Sequence, residues 1–124
     1  MREPVVTDAL APVLGPFSAG VKSGKSLYSS GQVAQDPATG LLIKGGIVEQ
    51  TGQALANVEA VLRAGGKTLA DVVKVNVYLT DMRDFQAMNQ VYATRFEKPY
   101  PARTTIAVSA LPLGAAVEID VVAE

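Results

Sequence analysis

Residues 73–96 read VKVNVYLTDMRDFQAMNQVYATRF, and this stretch decides the fold class. Val73, Val75, Val77 and Leu79 alternate with Lys74, Asn76, Tyr78 and Thr80, the period of a strand with one apolar face. At Asp81 the period changes. Phe85, Met88, Tyr92 and Phe96 fall at steps of 3, 4 and 4, one apolar stripe of a helix, with Asp81 offered as its N-cap. Lys98-Pro99-Tyr100-Pro101 stops that helix.

Working outward, two further strands follow. Thr104, Ile106 and Val108 alternate with Arg103, Thr105, Ala107 and Ser109, and Val117, Ile119 and Val121 alternate with Glu118, Asp120 and Val122. Leu111-Pro112-Leu113-Gly114 links them. On the other side, Val48, Leu55, Val58 and Leu62 mark an earlier helix ended by Gly65-Gly66. Gly52 inside it suggests close packing on a sheet. Before that helix, Val21-Lys22-Ser23 and Ser26–Val33 flank Gly24-Lys25, a two-residue hairpin signal. Leu41-Leu42-Ile43 reads as an edge segment, and residues 1–20 as an irregular arm. The order is hairpin, helix, strand, helix, two strands: an α+β or mixed α/β plan with one sheet and two helices on one face. Residues 1–124 form a single domain.

Two helices cover one sheet face only. The other face, with Thr105, Ala107, Tyr78, Asn76 and Val33 as its candidate residues, calls for burial against other copies of the chain.

Composition excludes several chemistries. Among 124 residues there is no Cys and no His, so thiolate nucleophiles, thiolate or imidazole metal sites and histidine bases are absent. Eleven Lys and Arg against 12 Asp and Glu give a net charge of −1, no basic character with which to track a nucleic acid. No Gly-rich phosphate loop follows a strand, and no carboxylate cluster has metal-ligand spacing, so no cofactor and no metal are expected. With no signal peptide and no membrane span, the expectation is a cytoplasmic protein.

The residues left for chemistry are few. Arg103 can fork onto a carboxylate, and Glu118 can orient or deprotonate a water. Outward parity would let the two share a face; the plainer reading makes them a cross-strand ion pair. Ser30 offers a hydroxyl and Gly31 a close backbone approach, or together they end a strand in a bulge. Phe17 places a ring over a ligand or anchors the arm, and Asn89 braces neighbouring backbone. Lys74 and Tyr78 have no named partner.

Gly15-Pro16-Phe17-Ser18, Ser30-Gly31-Gln32, Asp84-Phe85 with Asn89 and Tyr92, and above all Pro101-Ala102-Arg103 through Leu111-Pro112 to Val117-Glu118-Ile119 resemble the RidA (YjgF) family. The resemblance spans residues 10–123. It implies a chorismate-mutase-like fold, a homotrimer, ligand sites in the clefts between subunits, and cofactor-free hydrolysis of 2-imino acids to 2-oxo acids and ammonia. It implies that Arg103 holds the substrate carboxylate and Glu118 positions water, and that Phe17, Ser30, Gly31, Asn89 and Thr105 line the pocket. Thr105 stands where many members have Cys. Phe17 stands where typical members have Tyr, which implies reduced activity. The alternatives are a non-catalytic module that binds small 2-oxo or 2-imino acids, and the ribonuclease role of some relatives; the charge balance and the lack of a histidine base count against the second.

Overall fold

The computed structural model describes all residues, 1–124. The strands are β1 (Glu3–Val5), β2 (Gly20–Ser23), β3 (Ser26–Ser29), β4 (Val72–Leu79), β5 (Ala102–Ala107) and β6 (Val117–Ala123); the helices are α1 (Ile47–Ala64) and α2 (Phe85–Arg95). They build one six-stranded sheet in the order β1-β2-β3-β6-β4-β5. Only β4 and β5 run parallel, joined by α2; every other pairing is antiparallel.

Strand alternation sorts the sheet into two faces. Val75 pairs with Val121, Val77 with Ile119 and Leu79 with Val117, and all six are at most 1% exposed. They pack with Leu55, Val58, Val61 and Leu62 of α1 and with Met88, Tyr92 and Phe96 from α2 and its end. Burying each such side chain stabilises the fold by roughly 1.5–3 kcal/mol. The opposite face carries Tyr28, Asn76, Tyr78, Thr104, Ile106, Glu118, Asp120 and Val122, and no helix covers it. Tyr28 and Ile106 are nearly half exposed there. No helix is long and apolar enough to cross a membrane.

Several local expectations are corrected. The sixth strand is β1, inside the arm expected to be irregular; Leu41–Ile43 supplies only an isolated bridge, Leu42 to Gln35. The strand from Ser26 ends at Ser29, and Gln32 rejoins the sheet through a separate bridge to Ile119. Val48 lies on the exposed side of α1, and the core stripe instead begins at Thr51 and Ala54. A register shift between Val72 and Lys74 turns Val72 inward and leaves Val73 exposed. Gly52 faces Arg95 of α2, not the sheet. Val33 is buried and therefore not part of the open face. Thr105 and Ala107 pair with Val77 and Leu79, which puts them on the helix side.

Other signals read as expected. Ser23 pairs with Ser26 across the Gly24-Lys25 turn. Asp81 caps with its side chain, accepting from the Arg83 amide at 2.9 Å, although it caps the short 3-10 turn Met82–Asp84 that leads into α2. Gly66, at φ +79°, takes the left-handed turn that ends α1.

Two buried amides on α1 tie down the loops that flank β6. Asn57 is 2% exposed and donates to the carbonyls of Val33 (3.0 Å) and Gln35 (2.9 Å), while its own oxygen accepts from Gln53. Gln50 accepts from the Ala116 amide at 2.8 Å. Removing the Asn57 amide leaves the part-buried Gln35 carbonyl without a partner and the Val33 carbonyl with only the Gln35 amide. Asn57→Ala should therefore cost roughly 1–3 kcal/mol of stability, read as a lower melting midpoint in urea. A midpoint equal to wild type would show that the clamp contributes nothing.

Candidate functional site

One cavity of about 470 Å³ lies between the arm, the segment after β3 and the loop before β6, with Phe17, Ser30, Gly31, Val33, Leu113 and Glu118 in its walls. The walls are set by hydrogen bonds. The Gln32 amide donates to Ile119 O (2.8 Å) and the Ile119 amide to Gln32 O (3.0 Å), so the chain crosses directly beside Glu118. Gly31 lets the carboxylate lie against the backbone: a β-carbon would sit 2.7 Å from both Cδ and Oε2 of Glu118. Ser30 donates its hydroxyl to Ser18 O at 2.6 Å and its amide to Ala19 O at 2.9 Å, which holds the Phe17 loop against the cavity. Phe17 is 58% exposed, so it is a cavity wall and not a packing anchor. Leu113 takes φ +60°, a left-handed conformation unusual for leucine, at the rim.

Glu118 is half-buried and makes no hydrogen bond or ion pair within the chain. Its pKa is raised, first by desolvation and then by the neighbouring Asp120 carboxylate. Asp120 accepts from Asn76 Nδ2 at 2.9 Å. Tyr78, directly opposite Glu118, has its phenol pushed up by burial and by Asp120. Lys74 donates to Thr104 Oγ1 at 2.8 Å, which gives it the partner the sequence did not name.

Arg103 is elsewhere. It pairs with Val75 on β5, whereas Glu118 pairs with Tyr78 on β6, and β4 runs between the two strands. Val75 belongs to the helix side and Tyr78 to the open side, so Arg103 and Glu118 occupy opposite faces of the sheet. They neither share a face nor form a cross-strand pair, because both parity and strand order separate them.

Arg103 lines a second cavity, about 300 Å³, with Asn89, Tyr92, Ala93, Tyr100 and Pro101. Its guanidinium lies over the Tyr92 ring at 4.7 Å and over Phe85 at 5.7 Å. Arg103 forms no ion pair, so its guanidinium has N–H groups to offer a planar acceptor. Around it, Asn89 Oδ1, the Tyr92 hydroxyl and Thr105 Oγ1 are buried without a hydrogen-bond partner. Asn89 thus braces no backbone through that oxygen. Such orphans are rare in folded chains and call for a water, a ligand or a neighbouring chain.

The structure therefore gathers Phe17, Ser30, Gly31 and Glu118 around one cavity and Arg103 and Asn89 around another, with the half-buried Thr105 on Arg103's strand and face. Tyr92 was missed as a site residue because its spacing is that of a core position, and it is one, at 5% exposure. Gln50 and Asn57 were missed because one polar residue on a helix carries no visible signal of what it clamps.

Gly31→Ala tests the contact with Glu118. The carboxylate is the free end of its side chain, so it should swing away into solvent at little cost in stability. Its pKa, followed by carboxyl NMR titration, should drop toward that of an ordinary glutamate; an unmoved value would show that Gly31 does not hold it.

Comparison with known proteins identifies the family. Residues 7–124 match the family described as Endoribonuclease L-PSP. A RutC family protein of Pyrococcus horikoshii is 45% identical over 99% of this chain and 98% of its own length. The 2-iminobutanoate/2-iminopropanoate deaminase of Capra hircus is 43% identical over 96% of this chain and 88% of its own. The crystal structure of RidA from an Antarctic Psychrobacter superposes with a TM-score of 0.94 at 41% identity, covering 98% of both chains. With a match over nearly its whole length and with that fold, the chain belongs to the RidA (YjgF, L-PSP) family.

Proposed function

We propose that this chain hydrolyses reactive 2-imino acids, and the enamines in equilibrium with them, to 2-oxo acids and ammonia, in clefts between the copies of a homotrimer. The observation that carries the reading is the division of the site. One face offers an arginine free of ion pairs, backed by unpartnered polar atoms, and the other a desolvated glutamate beside a cavity. One small substrate reaches both only if Arg103 of one copy faces Glu118 of the next. The uncovered sheet face supports the same assembly. The deaminase name of the Capra hircus relative supports the reaction.

The chemistry asked of the residues is small. Arg103 fixes the carboxylate and so presents the C=N carbon in one orientation. Glu118 takes a proton from the attacking water as its oxygen bonds to that carbon, and passes that proton to the imine nitrogen. The carbinolamine hydroxyl then gives up its proton to nitrogen as the C–N bond breaks, releasing ammonia and leaving the 2-oxo acid with Glu118 ionised again. Imines hydrolyse unaided, so orientation and one proton acceptor are enough.

A second reading, a binding module for the same acids, is favoured by Phe17, whose ring faces the cavity without a hydroxyl. Turnover separates the two. With imine supplied by an amino-acid oxidase and trapped by semicarbazide, the deaminase reading expects imine to vanish faster when the protein is added. Binding of 2-oxobutyrate with no acceleration would favour the module. Arg103→Ala should abolish both turnover and calorimetric binding of 2-oxobutyrate, a loss of roughly 2–5 kcal/mol for a bidentate charged contact. Unchanged affinity would remove Arg103 from the site.

The acid limb of kcat/KM should report Glu118, which must be ionised to accept a proton. Asp120 raises its pKa, so removing that negative charge favours ionisation. Asp120→Asn should shift the acid limb to lower pH, and Glu118→Gln should eliminate turnover. An unmoved limb in Asp120→Asn would mean that another group titrates there.

A further inference from the structure

Tyr92 holds the least explained polar atom of the Arg103 half-site. The residue is 5% exposed; its ring is stacked on Phe96 at 4.5 Å between centroids, and the Arg103 guanidinium lies over it at 4.7 Å. Its buried hydroxyl meets no partner at good hydrogen-bond geometry within the chain, the Arg103 side chain alone being near enough to lower its pKa, and the residue borders the cavity shared with Asn89 and Arg103. A phenylalanine would fill the same core position without burying an oxygen. Burial keeps the phenol protonated, Arg103 pulling the other way without reversing the direction. The group is therefore a hydrogen-bond donor, held next to the one cation of the half-site.

We propose that Tyr92 contacts the substrate directly. Its ring supports the guanidinium from below, and its hydroxyl donates to the same carboxylate that Arg103 binds, so the 2-oxo or 2-imino acid is held by an arginine fork and a phenol together. This inference rests on the reading of Arg103 given above. It adds a residue whose loss weakens the anion contact without loosening the core.

The test uses calorimetric binding of 2-oxobutyrate to wild type, Tyr92→Phe, Tyr92→Leu and Arg103→Ala, with melting temperature measured alongside. Tyr92→Phe keeps the ring and removes only the orphan oxygen. Its dissociation constant should rise roughly tenfold or more, the effect of losing a hydrogen bond to a charged group. Its melting temperature should stay level or rise, because an unsatisfied buried hydroxyl has gone. Tyr92→Leu also removes the platform under Arg103 and should bind more weakly still. An unchanged dissociation constant in Tyr92→Phe, with Arg103→Ala unable to bind, overturns the role of Tyr92 and leaves that of Arg103 standing. A lower melting temperature with unchanged affinity overturns it too, since the hydroxyl would then be satisfied by a neighbouring copy. If wild type and Arg103→Ala bind alike, the reading of the half-site fails, and this inference fails with it.

Discussion

The rest of the structure depends on one constraint: successive residues of a strand point to opposite faces. Once α1 and α2 bury Val75, Val77, Leu79, Val117, Ile119 and Val121, every intervening residue of β4 and β6 is committed to the uncovered side. That commits Glu118, Asp120, Asn76 and Tyr78. It equally commits Arg103 and Thr105 to the helix side, through their pairing with Val75 and Val77. A one-residue slip of β5 would exchange the faces and take the guanidinium off its aromatic support.

The two cavities are built on different principles. The Arg103 side rests on the core: a guanidinium over a core tyrosine that is itself stacked on Phe96. The Glu118 side is assembled from loops and owes its shape to hydrogen bonds. Asn57 and Gln50 reach out of α1 to hold the segments on either side of β6, and Gln32 bridges to Ile119. Gly31 then brings the backbone against the carboxylate. A helix that supplies the core thus also supplies the struts of the cavity, which ties site geometry to fold stability.

A raised pKa at Glu118 has a consequence for the folded chain. Burial without a partner disfavours the ionised form, so folding is favoured where Glu118 is protonated, and that contribution is lost as pH rises through the folded-state pKa. The ionised carboxylate is thus held at some cost to stability.

Much of the fold was legible in the residues alone. The 2-residue period at 73–80, the 3-and-4 steps at 85–96, the Gly24-Lys25 turn and the Gly65-Gly66 stop are local, and backbone sterics and side-chain direction act over a few residues. Arg103 and Glu118 stood out through the resemblance of residues 101–119 to the RidA family; pattern alone favoured a plain cross-strand ion pair. What the residues could not say is which strands are neighbours. β4 inserts between β5 and β6 although it precedes both in the chain, and the arm contributes β1 by pairing with β2. Parity within a strand is written in the sequence; parity between strands is set by register, and register comes from packing the whole sheet on α1. For that reason only the tertiary structure decided that Arg103 and Glu118 lie on opposite faces, and that a core-spaced tyrosine holds its hydroxyl beside the arginine.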